Sequence, residues 1–456
     1  MDRQGIESLF NTCYNYIIYW EEEDMDKAVT VNDIPNFFKL VPLENDKEMQ
    51  MYYEETMEIR TGHVGNSPMD DIFDLCTTPS EHHNAIMLLG HRGSGKSTEL
   101  NKLSMKLRDD GHKVMTIPCN LNADIVNIEY ADLMVLMADA MLNFANEVGF
   151  IPDKSDLDII ERFWDTVEKE TDVNYGAGAG IETGISVETP KLFKKLLKAF
   201  ATVKTDLKYN VDVRETYRKY VRNRIGMWLE ALNNISDGVT EKCGYKQPIL
   251  IFEDLDKGQD SVWNTFESYS AQLSGVTFPV IYTFPISYYY DPRFGKIDSF
   301  FEIHKLPMIK TNKISGEPDE NGPKAIRAII ERRMDVELFE EDVLNSLIMR
   351  TGGSLRHLFK AINSSAVITR RRKQERISMD AVNIALEDIK GDLSARISGD
   401  DYDFLVKVVK GNHLDSPDNE LLKKMMLNEI VLEYNGKRWH NVHPLITEYL
   451  REIGRI

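Results

Sequence analysis

The sequence predicts an α/β protein built on a parallel sheet, and three observations predict it. From residue 84 onward short apolar runs alternate with longer helical segments, the pattern of strands joined by crossover helices. The first of these runs leads directly into a loop with three glycines that closes on a lysine. After residue 307 the strand pattern stops, and the chain reads as helices followed by two β-prone runs that meet across Asn435-Gly436. At 456 residues there is room for about three domains of ordinary size.

Taken in order, residues 1–80 form an acidic lead-in with helices expected around Glu7 to Trp20 and Lys47 to Ile59. The strands follow as "NAIMLL" (Asn84 to Leu89), "HKVMTIPC" (His112 to Cys119), "QPILIFEDLD" (Gln247 to Asp256), "FPVIYTFP" (Phe278 to Pro285) and "FFEIHKLP" (Phe300 to Pro307). These define a core over 81–310 with a helical insertion at about 150–240 between the second and third strands. A helical region over 311–395 comes next. The last part, 396–456, combines helices with a hairpin whose Asn-Gly turn favours positive φ, which suggests a winged helix.

Hydrophobic residues make up 42% and charged residues 28%, which is ordinary for a folded globular chain and excludes global disorder. The net charge of -19 argues against a surface that is basic throughout, so any nucleic-acid contact must come from a local patch. No apolar run approaches the ~18 residues of a membrane span, and the amino terminus lacks the layout of a signal peptide. A cytoplasmic protein without a membrane partner is therefore expected. Cys13, Cys76, Cys119 and Cys243 are scattered, with no pairing that suggests zinc or a disulfide framework.

The glycine loop carries the clearest chemistry. Gly90, His91, Arg92, Gly93, Ser94, Gly95, Lys96 and Ser97 fit the pattern G-x-x-x-x-G-K-[ST], and Thr98 follows. Glycines let backbone N–H groups turn inward around phosphate oxygens, and the helix that starts near Lys96 points its positive end at the same place. Lys96 is suited to the outer phosphates of a nucleoside triphosphate, and Ser97 to Mg²⁺. The cofactors expected are thus ATP and Mg²⁺.

Such a loop needs carboxylates at the end of a neighbouring buried strand, and "ILIFEDLDK" supplies them. Either Glu253 or Asp254 would hold the metal through water while the other polarises the attacking water. The next strand ends at Thr283, whose hydroxyl is placed to position that water or to sense the γ-phosphate. A second glycine-rich stretch, "YGAGAGIETGISVE" (Tyr175 to Glu188), has no buried strand before it and no closing lysine, so it reads as a hairpin or flap. Behind it, Lys191 to Arg224 holds seven Lys and four Arg against Asp206, Asp212 and Glu215, a local balance of +8.

With these motifs the chain resembles AAA+ ATPases of the origin-recognition/initiator type, with STAND and KAP-like P-loop ATPases as relatives. The resemblance covers about residues 80–456. It rests on "GHRGSGKST" as Walker A, "ILIFEDLDK" as Walker B, "VIYTFP" as sensor 1 and "GGSLRHLF" as sensor 2, ahead of a terminal winged helix. It implies a P-loop NTPase sheet with a helical AAA+ lid, in which Arg356 would reach the γ-phosphate from the lid. It also implies an arginine from an adjacent subunit, with Arg293 in "YYYDPRFGK" in the corresponding segment, and hence a homo-oligomer. The chain departs from the initiator pattern in reading Glu253-Asp254 where that group reads Asp-Glu, which puts fast hydrolysis in doubt. The glycine-rich hairpin and basic helices also look like an insertion in prokaryotic ATPases associated with anti-phage defence.

Three functions follow as expectations. The first is an ATPase that switches conformation or assembly with its γ-phosphate and controls a protein partner. The second is a DNA-binding initiator or loader, with Arg370, Arg371, Arg372, Lys373 and Arg376 of the lid, Lys437 and Arg438 of the wing and the Lys191 to Arg224 segment as candidate contacts. The helix before the wing, with only Lys423 and Lys424 against two glutamates, is thin for groove recognition. The third is a scaffold or defence switch that docks an effector on the basic insertion.

Overall fold

The computed structural model describes residues 27–62, 65, 67–78, 84–171, 189–244, 246–411, 419–434 and 439–456, with the side chains of 171, 202–207 and 243 also outside that set. The helix expected at Glu7 to Trp20, the glycine-rich stretch Tyr175 to Glu188, the Asn435-Gly436 turn and the wing residues Lys437 and Arg438 lie outside the described residues.

The sheet is α/β in class, with strands β1 (Ala85–Gly90), β2 (Val114–Pro118), β3 (Ile249–Glu253), β4 (Val280–Pro285) and β5 (Glu302–Leu306) all parallel. Every residue of β1 and β4 is buried, as expected for strands covered by helices on both faces. The spatial order is β2-β3-β4-β1-β5. The acidic strand is therefore not the neighbour of the glycine-loop strand, because β4 lies between β1 and β3. A parallel connection crosses over the sheet and can skip a position, so chain order leaves this point open. Its consequence is that the carboxyl ends of β1, β4 and β3 stand side by side along one edge.

The helix Lys96–Asp109 follows β1, burying Leu100, Leu103 and Leu107 at helical spacing. The single helix expected at Lys47 to Ile59 is two, Asp46–Tyr52 and Met57–Thr61; Asn45 starts the first by accepting from Glu48 N at 2.9 Å.

Four helices form the insertion: Tyr130–Glu147, Lys154–Thr171, Lys191–Tyr209 and Val211–Cys243. Their shared core is aromatic, with Phe163 5.0 Å from Trp228 and Trp164 4.9 Å from Phe200. The basic segment is not a bare cationic surface. Lys195 pairs with Asp165 at 2.8 Å, Arg214 with Asp124 at 2.9 Å, Arg218 with Asp132 at 2.6 Å, and Arg222 with Glu129. Those four carboxylates all come from outside residues 191–224, which is why a charge balance taken along the segment overstates its field.

Beyond β5 the helices Asn321–Glu331, Val343–Arg350, Leu355–Arg371 and Met379–Ser394 form the region after the sheet. The chain ends in a module of helices Asp401–Val409, Asn419–Leu427 and Pro444–Glu452 with an antiparallel hairpin, β6 (Val431–Tyr434) and β7 (Trp439–Val442). This module packs on the core: β6 is wholly buried, and Met308 N donates to Glu433 O at 3.2 Å.

Candidate functional site

The carboxyl edge of β1, β4 and β3 opens into a cleft of about 1210 Å³ whose lining includes Gly93, Lys96, Ser97, Glu253, Asp256 and Arg356. Its floor is the glycine loop. Gly93 and Gly95 take φ of 74° and 97°, a region that glycine enters without steric cost. Any side chain at Gly93 would also collide, since a Cβ there would lie 2.6 Å from Arg356 Cβ.

Lys96 Nζ donates to Gly90 O and His91 O, both at 2.8 Å, and ion-pairs with Asp256 Oδ2 at 2.8 Å. All three ammonium hydrogens are thus engaged. Asp256, expected only as the end of the third strand, lies beyond the strand's end at Glu253 and joins the site. The signal was the third carboxylate of "EDLDK", which a one-turn 3₁₀ segment, Leu255–Lys257, carries back toward the loop. Burial opposes its charge, but the adjacent Lys96 ammonium outweighs burial and holds the carboxyl below the ordinary range.

Glu253 ends β3 inside the cleft. Burial, and then the charges of Asp254 and Asp256, push its carboxyl up to about 7. Its Oε1 is buried without a hydrogen-bond partner among the described residues, as is Ser94 Oγ in the loop. Asp254 takes a left-handed φ of 66° and meets Lys257 Nζ at 2.5 Å. Thr283 is committed to the acidic turn, with Oγ1 donating to Phe252 O at 3.1 Å and accepting from Leu255 N at 3.2 Å. It positions the carboxylates from the strand between them and the loop.

Arg356 is exposed on the cleft wall at the start of the helix Leu355–Arg371 and makes no ion pair among the described residues. Arg293 is elsewhere. It pairs with Asp291 at 2.8 Å and Glu267 at 3.3 Å, stacks 5.1 Å over Trp263, and is not part of the cleft lining. Arg92 reaches Lys257 O at 3.2 Å, and His91, which also borders the cleft, accepts at Nε2 from Glu433 N at 2.9 Å. Burial, and then Lys96, keep that ring neutral, down to about 3.

A second wall comes from the lead-in, which sequence reasoning left outside the site. Leu43 N donates to Thr98 Oγ1 at 3.3 Å, Asn101 Nδ2 to Leu43 O at 2.9 Å, and Tyr53 OH to Glu99 Oε2 at 3.0 Å. The first turns of the helix Lys96–Asp109 are thereby fastened to residues 43–53. Nothing local in either segment announces that pairing.

The donor set fits a magnesium nucleotide. The loop presents amides and an ammonium to phosphate oxygens, while Ser97, Glu253 and Asp254 offer hard oxygen ligands, one of them a buried carboxylate oxygen without a partner. No group of three or more His, Cys, Asp or Glu suited to hold a metal by itself exists among the described residues. Cys76 and Cys119 are buried thiols.

No family model and no curated protein matches the chain. Among solved structures it is similar to the Walker-type ATPase PABY2304 of Pyrococcus abyssi, at 15% identity and TM-score 0.42, over 91% of this chain and 99% of that one. It is also similar to Cdc6p from Pyrobaculum aerophilum, at 12% and 0.38 over 93% and 100%, and to the ORC1 protein of Aeropyrum pernix solved in complex with DNA, at 10% and 0.37 over 85% and 92%. These are loose likenesses of fold. Independently of them, the five-stranded parallel sheet with the glycine loop directly after β1 is an α/β architecture of P-loop type.

Proposed function

We propose that this protein is a Mg-ATP-binding ATPase of AAA+ type that uses nucleotide binding and hydrolysis to switch conformation or assembly and so control a partner. The observation that carries this reading is the contact of Lys96 with Asp256 across the cleft, which puts the glycine loop and the acidic turn in one gap. When bound, Mg²⁺ supplies charge neutralisation at the phosphates. Lys96 binds the outer phosphates, Ser97 and one of Glu253 and Asp254 hold the metal, and the other carboxylate orients the attacking water. Thr283 keeps the turn in place, and Arg356 contacts the γ-phosphate from the lid. A homo-oligomer with Arg293 facing the neighbouring cleft belongs to this proposal, as do a protein effector, a role in prokaryotic defence and a cytoplasmic location. No helix among the described residues is long and apolar enough to cross a membrane.

The alternative, a DNA-binding initiator or loader acting through a winged helix, is less favoured by the docked terminal module. Both cations of the helix Asn419–Leu427 are in ion pairs, Lys423 with Asp291 at 3.2 Å and Lys424 with Asp401 at 2.7 Å. In the lid, Arg372 pairs with Asp380, and Arg376 caps the carbonyls of Glu337 and Phe339.

Phosphate release from ATP-Mg by the full chain tests the reading. Turnover in the wild type and its loss in Lys96→Ala and Glu253→Gln, with folding retained, is the expected result. Turnover that survives Lys96→Ala would contradict it. A steep loss of duplex-DNA affinity with salt would favour the alternative.

A further inference from the structure

The glycine loop is held by two distant parts of the chain. Gly93 O accepts from Leu355 N at 3.2 Å, at the first turn of the helix Leu355–Arg371. His91 Nε2 accepts from Glu433 N in β6 at 2.9 Å. Around this point the terminal module is docked by further contacts. Glu433 Oε2 accepts from Tyr290 OH at 2.5 Å, and Lys423 Nζ lies 3.2 Å from Asp291 Oδ2.

His91 is thus bound at both ends. Its carbonyl is one of the three acceptors on Lys96, the ammonium that must meet phosphate. Its ring is the side chain by which the loop grips β6.

We propose that His91 couples occupancy of the phosphate loop to docking of the terminal helix–hairpin module, so that an incoming triphosphate loosens the module. This rests on the reading of the loop as a phosphate site. The direction follows from competition for the same groups. Phosphate oxygens draw Lys96 Nζ from the carbonyls of Gly90 and His91, the loop amides turn toward the ligand, and His91 leaves the geometry that presents Nε2 to Glu433. Coupling of this kind is reciprocal, so a loosened module must raise nucleotide affinity by the same factor that nucleotide loosens the module.

Hydrogen exchange resolved at the Glu433 amide, measured on the full chain, reads the first half of the coupling; ATP-Mg affinity reads the second. In the wild type the Glu433 amide is slow, and saturating ATP-Mg speeds it by about fivefold or more. In His91→Ala it is fast before any nucleotide is added. The double variant Tyr290→Phe/Lys423→Ala, which leaves the loop intact, binds ATP-Mg about fivefold more tightly than the wild type. ATP-Mg that binds without changing exchange at Glu433 overturns the coupling alone, as does an unchanged or weaker affinity in a double variant whose exchange has risen. A wild type that binds no ATP-Mg overturns both the coupling and the nucleotide reading on which it rests.

Discussion

Two buried ion pairs, Lys96–Asp256 in the cleft and Arg218–Asp132 in the insertion, have nearly the same burial and opposite meanings. Arg218 is saturated by its surroundings: Nε meets Asp132 Oδ1 at 3.0 Å, one terminal nitrogen reaches Glu129 and Glu215, and the other reaches Asn127 O at 2.5 Å. Asp132 is further held by Tyr217 OH. None of these residues lines the cleft described above, and every donor of the guanidinium already has a protein partner. Lys96 and Asp256 also satisfy one another, but two of the ammonium's bonds go to carbonyls of a glycine loop, and the pair borders open volume. A buried pair that faces a cavity can exchange its partner for a ligand, whereas a buried pair enclosed by protein organises the fold.

The largest loss of stability is expected in Arg218→Ala. Leaving Asp132 charged and unpaired in the interior should cost about 3–5 kcal/mol, read by denaturant unfolding, and nucleotide should not rescue it by contact. Lys96→Ala should cost less stability, because Asp256 borders the cleft and water can reach its carboxylate, while ATP-Mg affinity falls roughly 100-fold or more, as expected for losing charge-assisted hydrogen bonds to phosphate. Calorimetric titration checks it.

Asp256→Asn and Asp132→Asn sharpen the contrast. Each should lower stability without nucleotide by about 1–3 kcal/mol, but ATP-Mg should restore a larger share in Asp256→Asn, because phosphate supplies the missing negative charge beside Lys96. Thermal melts with and without nucleotide measure the difference.

Acid should act at the boundary between the loop, the helix Leu355–Arg371 and the terminal module. His91 is held down to about 3 and His357 to about 4, in each case first by burial, and His443 lies well below its ordinary value for the same reason. Nε2 of His443 meets Nδ1 of His357 at 3.1 Å, so the two rings share one hydrogen between them. Unfolded histidine takes up protons near pH 6.5 while these rings stay neutral. The unfolded state then binds more protons, and stability falls as pH drops from about 6.5 toward 4, by up to about 1.4 kcal/mol per pH unit for each ring. Melting temperatures across that window should fall less steeply in His357→Gln than in the wild type. Smallest of all, Lys195→Ala removes a partly exposed pair with Asp165 and should change stability by less than about 1 kcal/mol.

The sheet and the glycine loop are legible in the sequence because both are local. Apolar runs such as "AIMLLG" signal buried strands by themselves, and the eight residues from Gly90 to Ser97 carry their geometry in their glycines. What escapes a linear reading depends on distant partners. Asp256 looks like one more acid on a turn until a 3₁₀ segment returns it to Lys96. The basic helices look unpaired until Asp124, Glu129, Asp132 and Asp165 arrive from elsewhere in the chain. Residues 43–53 read as part of a lead-in that packs onto the core, and only their bonds with Thr98, Glu99 and Asn101 fasten them to the cleft.

The most direct measurement is a structure of the full chain with Mn²⁺ and a non-hydrolysable ATP analogue, with the metal located by its anomalous signal. Manganese is expected between Ser97 and the acids at the end of β3, with phosphates in the glycine loop and Lys96 Nζ moved from Asp256 onto them. Phosphate bound outside the loop, or a metal remote from Glu253 and Asp254, would contradict this expectation.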